Sequence, residues 1–311
     1  MTPPTRDPIG AVLDAPTGAV LAVIAGVEGP SYRPVGAMMA VVPPEKRVGT
    51  LSSGCIENDI ALHAMEAAKS GKPLLLRYGR GSPYMDIQLP CGGGLDILLL
   101  PSPDQTSLAL VKQNRTARVP CSLIIDTQTG AMEVADSGPT HRDGDRLTVR
   151  FEPDIRFLVF GKGPEASTFA ALVQSAGYPN LLLSPDAETL DHGSVAGCDT
   201  RHLTAQAYPD DLAADDRTAI VLFFHDHDWE PPILAGALQT SAFYIGAQGS
   251  QRARDARLQA LQLMGIEPTD LARLHGPVGL IPSARDAGTL AVSVLAEVLN
   301  EAMSAAKTEA A

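Results

Sequence analysis

Long apolar runs are missing from this chain. None approaches the ~20 residues that a membrane-crossing helix needs, so no helical span is expected. A basic excess is missing too. The net charge is -12, which excludes a broad footprint for nucleic acid or an anionic membrane. A local nest of backbone N–H groups can still hold a small anion in an acidic protein. Aromatic residues make up 5% of the chain, too few for a surface on which bases stack. The cysteines, Cys55, Cys91, Cys121 and Cys198, form no C-x-x-C pair. The opening MTPPTRDPIG is polar and Pro-rich, without the basic and apolar parts of a targeting leader. Scattered cysteines and no leader predict a cytosolic protein with reduced thiols.

What is present is enough chain for two domains: 311 residues, 45% hydrophobic and 19% charged. The N-terminal half centres on Gly49 to Asp59, GTLSSGCIEND. Gly49, Ser52, Ser53 and Gly54 let backbone approach a ligand closely, and Cys55 sits beside them. Glu57 and Asp59 then open a helical pattern in which Ile60, Ala61, Met65 and Ala68 share a face. Small residues, a thiol and a helix start suit an anionic ligand with a reactive sulfur or metal centre. The plainer alternative is a tight turn with a buried cysteine. Cys91 lies in Pro90-Cys91-Gly92-Gly93-Gly94, where the glycines leave the thiol little steric cover, or simply make a hairpin turn. Two glycine-flanked cysteines, Cys55 and Cys91, predict one shared site. Arg33 stands between Tyr32 and Pro34, which holds it extended, and it can fork onto a phosphate or carboxylate. GAVLAVIAGVEG and AMMAVV predict strands, SLALVKQNR a helix, and VPCSLIIDTQTGAMEVAD a hairpin with Cys121 in the core. GPTHRDGD reads as a solvated loop.

The second half changes character. IRFLVFG, a turn and a helix carry Gly161-Lys162-Gly163-Pro164-Glu165-Ala166, a G-x-G-x-x-A pattern. Its glycines, Gly161 and Gly163, make the turn and let backbone near a phosphate, and Ala166 allows close packing. The acidic residue expected at the end of the second strand, for a ribose hydroxyl, is replaced by Ser184, with Asp186 displaced past a proline. Ordinary NAD binding is therefore unsupported, and NAD(P) stays only a weak candidate. AIVLFFHDHDWEPP predicts a strand ending in His225-Asp226-His227-Asp228. His225 and His227 would position a ligand rather than hold zinc, since no third ligand has metal-like spacing. YIGAQGSQRARDAR reads as strand, turn and helix, with Gly246, Gly249 and Ser250 in the turn. Arg252, Arg254, Arg257 and Glu297 are expected to be solvated.

The stretches GPSYRPVGAMMAV, GTLSSGCIENDIALHA, LPCGGGLDILL, VFGKGPEA, FFHDHDWEPPIL, YIGAQGSQRARDARLQAL, HGPVGL and LAVSVLAEVL keep a recognisable order over nearly the whole chain. In these stretches the sequence resembles the xanthine dehydrogenase accessory protein family (XdhC/CoxI). The resemblance implies an α/β fold with a smaller N-terminal α+β domain and a C-terminal Rossmann-like parallel sheet. The expected layout is a flexible arm over 1–10, the N-terminal family domain over 11–150, the Rossmann-like domain over 151–304 and a tail over 305–311. It also implies a chaperone, not an enzyme, that binds the molybdenum cofactor (molybdopterin). Such a chaperone supports the cofactor's sulfuration by a cysteine desulfurase and hands it to xanthine dehydrogenase or a related molybdenum hydroxylase. A homodimer is among the assemblies it allows. On this reading Cys55 and Cys91 meet the molybdenum–sulfur end. Arg33 and the backbone of Ser52, Ser53 and Gly54 hold the phosphate or pterin. Glu57, Gly92, Gly93, Gly161, Gly163, Gly246 and Ser250 complete the site, and His225 and His227 face the cleft between the halves. The chain departs from the family at Ser184-Pro185-Asp186, where Asp-Pro-Arg is common. It departs again at Gly279-Leu280-Ile281-Pro282-Ser283, in place of Gly-Leu-Asp-Ile-Gly. Both departures argue against a nucleotide in the Rossmann half. The alternative function is an NAD(P)-dependent oxidoreductase, resting on the G-x-G-x-x-A turn alone.

Overall fold

The computed structural model describes residues 7–15, 17–44, 46–54, 56–82, 89, 92–225 and 228–309. The chain divides into two units, Met1–Pro153 and Asp154–Ala311.

The first unit runs α1 (Pro8–Leu13), β1 (Val20–Glu28), β2 (Met38–Val42), β3 (Lys46–Gly49), α2 (Glu57–Ser70), β4 (Leu74–Gly79) and β5 (Gly94–Pro101). It continues with α3 (Gln105–Thr116), β6 (Cys121–Asp126), β7 (Met132–Ala135), β8 (His141–Asp143) and β9 (Arg146–Phe151). The first five strands form an antiparallel sheet in the order β3-β2-β1-β5-β4, and the last four a second one, β7-β6-β9-β8. The apolar run of β1 is explained by burial on both faces. Leu21, Val23 and Ala25 join α1, α3 and the second sheet in one core. Val20, Ala22 and Ile24 face α2 in another, as a side-chain period of two requires.

Three expectations change here. The arm over 1–10 is cut short, because Pro8 opens α1 and Ile9 is buried in the core. The solvated loop at GPTHRDGD contains β8, whose His141 pairs with Thr148 of β9. On α2 the packed face is Glu57, Ile60, Ala64 and Ala67, while Met65 is exposed.

The second unit runs β10 (Arg156–Gly161), α4 (Pro164–Ala176), β11 (Asn180–Ser184), α5 (Ala187–Val195), β12 (Asp199–His202), β13 (Thr218–Phe223) and α6 (Glu230–Ala237). Then come β14 (Tyr244–Ala247), α7 (Gln251–Leu263), α8 (Pro268–Leu271), β15 (Leu274–His275) and α9 (Ala287–Glu309). All six strands are parallel, in the order β12-β11-β10-β13-β14-β15. This is the doubly wound order in which chain direction across the sheet reverses between β10 and β13. Both faces are buried: Phe157 and Val159 enter one core with α4 and α9, Leu158 and Phe160 the other. Helix α9 runs past the tail boundary expected at 304, on a buried stripe of Ala291, Val294, Val298 and Ala302. No helix among the described residues is long and apolar enough to cross a membrane.

Candidate functional site

In the five-stranded sheet, strand direction gathers the loops singled out in the sequence. β1 ends at Glu28, opposite the start of β5 at Gly94, which also pairs with the end of β4 at Gly79. β3 ends at Gly49, opposite Met39 at the start of β2. The segments that leave β1 and β3, and the one that enters β5, therefore share one end of the sheet. The first carries Arg33, the second Ser52 to Gly54, and the third Gly92 and Gly93. Gly93 is required there by close approach: an added Cβ would lie 2.1 Å from the Pro30 carbonyl oxygen. Arg77 of β4 ties this end together through Glu28 and Asp96. The Arg33 side chain is exposed, and Ser31 Oγ donates to its carbonyl at 2.8 Å. Cys55 and Cys91 lie outside the described residues, so the neighbours Gly54, Ile56 and Gly92 define the site. A Cβ on Gly54 or Gly92 would meet nothing within 4 Å, so both positions border open space.

Glu57 has a different role from the expected ligand contact. Its side chain is buried, and its carboxylate draws the preceding loop around itself. Oε1 accepts from Thr50 Oγ1 at 2.6 Å, Leu51 N–H at 3.0 Å and Ser52 N–H at 2.8 Å. Oε2 accepts from Ser52 Oγ at 3.0 Å, Gly54 N–H at 2.9 Å and Ile56 N–H at 3.2 Å. Burial pushes the carboxyl pKa up, but the donors from Thr50, Ser52, Gly54 and Leu51 outweigh it and bring the value from 4.5 to about 2. The backbone donors of Ser52 and Gly54, expected on a phosphate or pterin, are thus spent on Glu57. The Ser53 N–H goes to Thr50 Oγ1 at 3.1 Å. The loop does bind an anion, and that anion is its own carboxylate. The conformation needs φ of +61° at Ser53 and +105° at Gly54.

In the second unit a crevice of about 760 Å³ opens at the carboxyl ends of β10, β11 and β13, where strand order reverses. Lys162, Glu165, Pro185, Asp186, His225 and Trp229 face it. His225 Nε2 lies 3.6 Å from Glu165 Oε1; His227 is outside the described residues. Asp186, expected to be out of place, lines the crevice directly beyond β11 and caps α5, accepting from Thr189 N–H at 2.9 Å and Thr189 Oγ1 at 2.6 Å.

Several glycine expectations are corrected. Gly161 ends β10 and serves packing, since a Cβ would sit 2.6 Å from Phe223 O and 2.8 Å from Ala166 Cβ. Gly163 has φ +92°, and its N–H donates to Thr189 Oγ1 at 2.8 Å instead of standing free for a phosphate. Gly246 is inside β14, not in a turn, and leaves room for Val278 and the Tyr244 ring. Ser250 caps α7, its Oγ accepting from Ala253 N–H at 3.2 Å.

Arg257 and Glu297, expected to be solvated, belong instead to two buried polar clusters. Arg257 and Glu230 are each about 2% exposed at the side chain and pair at 3.0 Å, and Arg257 also donates to the Gln248 carbonyl at 2.6 Å. Glu297 accepts from Tyr244 OH at 2.6 Å and from Gly279 N–H. His275 stacks on Tyr244 with centroids 4.4 Å apart. A signal was available for Arg257: it stands four residues before Leu261, on the buried stripe of α7.

Comparison with known proteins agrees with both units. The description "XdhC and CoxI family" matches residues 12–79, and "XdhC Rossmann domain" matches 157–298. The chain is 36% identical to the molybdenum cofactor insertion chaperone PaoD of Escherichia coli, over 90% of this chain and 82% of that one. It is 24% identical to a probable xanthine dehydrogenase subunit of Bacillus subtilis, over 94% and 95% of the two chains. A crystal structure described as a xanthine dehydrogenase of Bacillus halodurans has the same fold, with a TM-score of 0.79 at 21% identity over 95% of each chain. With both units matched in order, the chain belongs to the XdhC and CoxI family.

Proposed function

We propose that the protein is a molybdenum cofactor chaperone. It binds the cofactor, supports its sulfuration and delivers it to xanthine dehydrogenase or a related molybdenum hydroxylase. The observation that carries this reading is the 36% identity to a molybdenum cofactor insertion chaperone over most of both chains. The protein acts as a carrier and turns over no metabolite. A cysteine desulfurase supplies the sulfur, the carrier works in the cytoplasm, and a homodimer is its assembly.

The binding end belongs to the first unit. Gly54 and Gly92, next in sequence to Cys55 and Cys91, border open space, and thiolates suit a soft metal–sulfur centre. When bound, the cofactor supplies the molybdenum centre that the recipient enzyme needs. The chain's own residues do the rest. Glu57 holds the Cys55 loop from within and fills its amide nest with negative charge, so the cofactor's phosphate is met elsewhere. The exposed guanidinium of Arg33 is that contact, as a planar fork that takes phosphate oxygens in pairs. Gly93 keeps the chain entering β5 against Pro30, in the segment that carries Arg33.

The test is expression in a molybdenum-replete host, with molybdenum measured by mass spectrometry and pterin by fluorescence after oxidation. The expected result is both in the purified protein. Cys55→Ala loses both while its melting curve is unchanged, and Arg33→Ala retains less pterin. Wild-type protein carrying neither molybdenum nor pterin overturns the carrier reading; full retention by Cys55→Ala removes that thiol from the site.

A further inference from the structure

The crevice of the second unit is not needed by the reading above, and its chemistry points to a different ligand. The crevice combines four features. First, its volume, about 760 Å³, lies in the range of small-ligand pockets. Second, Trp229 lies nearly parallel to Phe224, at 11° with centroids 5.9 Å apart, and both rings line the crevice. Third, Asp186 stands beyond the second strand of the doubly wound order. There an acidic side chain accepts from ribose hydroxyls. Both of its hydrogen bonds to Thr189 fall on Oδ2, and Oδ1 has no partner among the described residues. Fourth, Lys162 brings an exposed ammonium to the same mouth.

The turn that cradles a diphosphate in dinucleotide folds is partly taken up within the fold here. Lys162 N–H donates to Phe223 O at 3.1 Å. Gly163 N–H donates to Thr189 Oγ1 at 2.8 Å. Pro164 has no N–H, and Ser167 N–H turns back to Gly163 O at 3.3 Å. The Glu165 carboxylate at the first turn of α4 adds negative charge beside His225. A second phosphate would find only the Glu165 and Ala166 N–H groups, which have no partner among the described residues, beside the like charge of the Glu165 carboxylate; a single phosphate finds Lys162.

We infer that this crevice is a binding site for a ribonucleoside monophosphate. Asp186 holds the ribose diol, Lys162 the phosphate, and Trp229 the face of the base. The Glu165 carboxylate favours one phosphate over two, and the site is independent of the loops assigned to the molybdenum cofactor.

Trp229 is the chain's single tryptophan, so its emission reports the site directly. The full chain, purified from a host unable to make molybdopterin, is titrated with AMP, GMP, CMP and UMP. At least one gives a saturable change in emission. Its 2′-deoxy counterpart binds about tenfold or more weakly, the loss expected for a hydrogen bond to a charged acceptor. Asp186→Asn keeps the α5 cap, since asparagine caps as well as aspartate, and narrows the ribose-to-deoxyribose ratio toward one. Lys162→Ala, at an exposed position, makes the monophosphate bind no better than the free nucleoside. NAD binds no more tightly than AMP. The assignment is overturned by no saturable response to any of the four at millimolar concentration, by equal binding of ribose and deoxyribose forms to wild type, or by tighter binding of NAD. Because the protein carries no molybdopterin in this experiment, its failure leaves the molybdenum and pterin measurements on the replete protein unaffected.

Discussion

Glu57 shows how one side chain can decide the character of a loop. Its carboxylate is buried and meets the Thr50 hydroxyl and the backbone of Leu51, Ser52, Gly54 and Ile56. Glu57→Gln puts an NH₂ group against those donors. The expected cost is roughly 2–4 kcal/mol, the range for a buried charged acceptor lost from its donors, read by denaturant unfolding. Thr50→Val removes one donor to the carboxylate and the acceptor of the Ser53 N–H, and costs about 1–2 kcal/mol. The acid dependence has a definite sign. The folded carboxyl titrates at about 2, below its ordinary 4.5, so its contribution is complete above pH ~4.5 and is lost as pH falls toward 2. Unfolding midpoints of wild type and Glu57→Gln should converge as pH drops through that window. Parallel curves would show that the loop does not depend on the charge. Arg257 and Glu230 behave differently because both are charged and almost fully enclosed. Removing one partner strands the other, so Arg257→Met should cost about 3–5 kcal/mol. The double variant Arg257→Met with Glu230→Gln should recover part of that loss.

At the scale of elements, β1 and β10 were legible because a strand buried on both faces is a continuous apolar run. The G-x-G-x-x-A context gave the β10–α4 unit for the same reason, strand and helix each having its own period. The misreadings share one cause: a pattern of residue types does not say which neighbour claims them. Gly161 and Gly246 fit a phosphate-loop pattern, yet the atoms nearest their missing Cβ are Phe223 O and the Val278 and Tyr244 side chains. Glu57 looked like a ligand contact because the loop it closes lies in front of it, five residues back along the chain. Glu297 looked solvated on the helical stripe of α9, since Tyr244 and the Gly279 amide that it meets are distant in sequence. These glycines carry a measurable consequence. Gly246→Ala forces the Tyr244 ring or Val278 aside and should cost about 1–3 kcal/mol, as overpacking does. Gly71→Ala meets no neighbour within 4 Å but sits at φ +66°, so it should cost about 1 kcal/mol through backbone strain alone. Comparable losses at the two positions would mean that packing against β14 is looser than these distances state.

The whole molecule joins two units with separate interiors. In Met1–Pro153 the five-stranded sheet supplies both cores, one under α2 and one shared with α1, α3 and the second sheet. In Asp154–Ala311 the parallel sheet has helices on both faces and again two cores. A segment of that length with a sheet covered on both sides buries enough apolar surface to fold alone. Residues 154–311 expressed separately should therefore give a dispersed amide spectrum and a single cooperative melt. If the crevice at the ends of β10, β11 and β13 is a site in its own right, its lining travels with this fragment. Lys162, Asp186 and Trp229 all come from it, so the Trp229 emission change with a ribonucleoside monophosphate should persist there with unchanged midpoint. Molybdenum and pterin should be absent from the same fragment, because the segments bearing Arg33, Gly54 and Gly92 are left behind. A fragment that folds but retains pterin would move the cofactor's binding end into the second unit and leave the Arg33 loop with no ligand to hold.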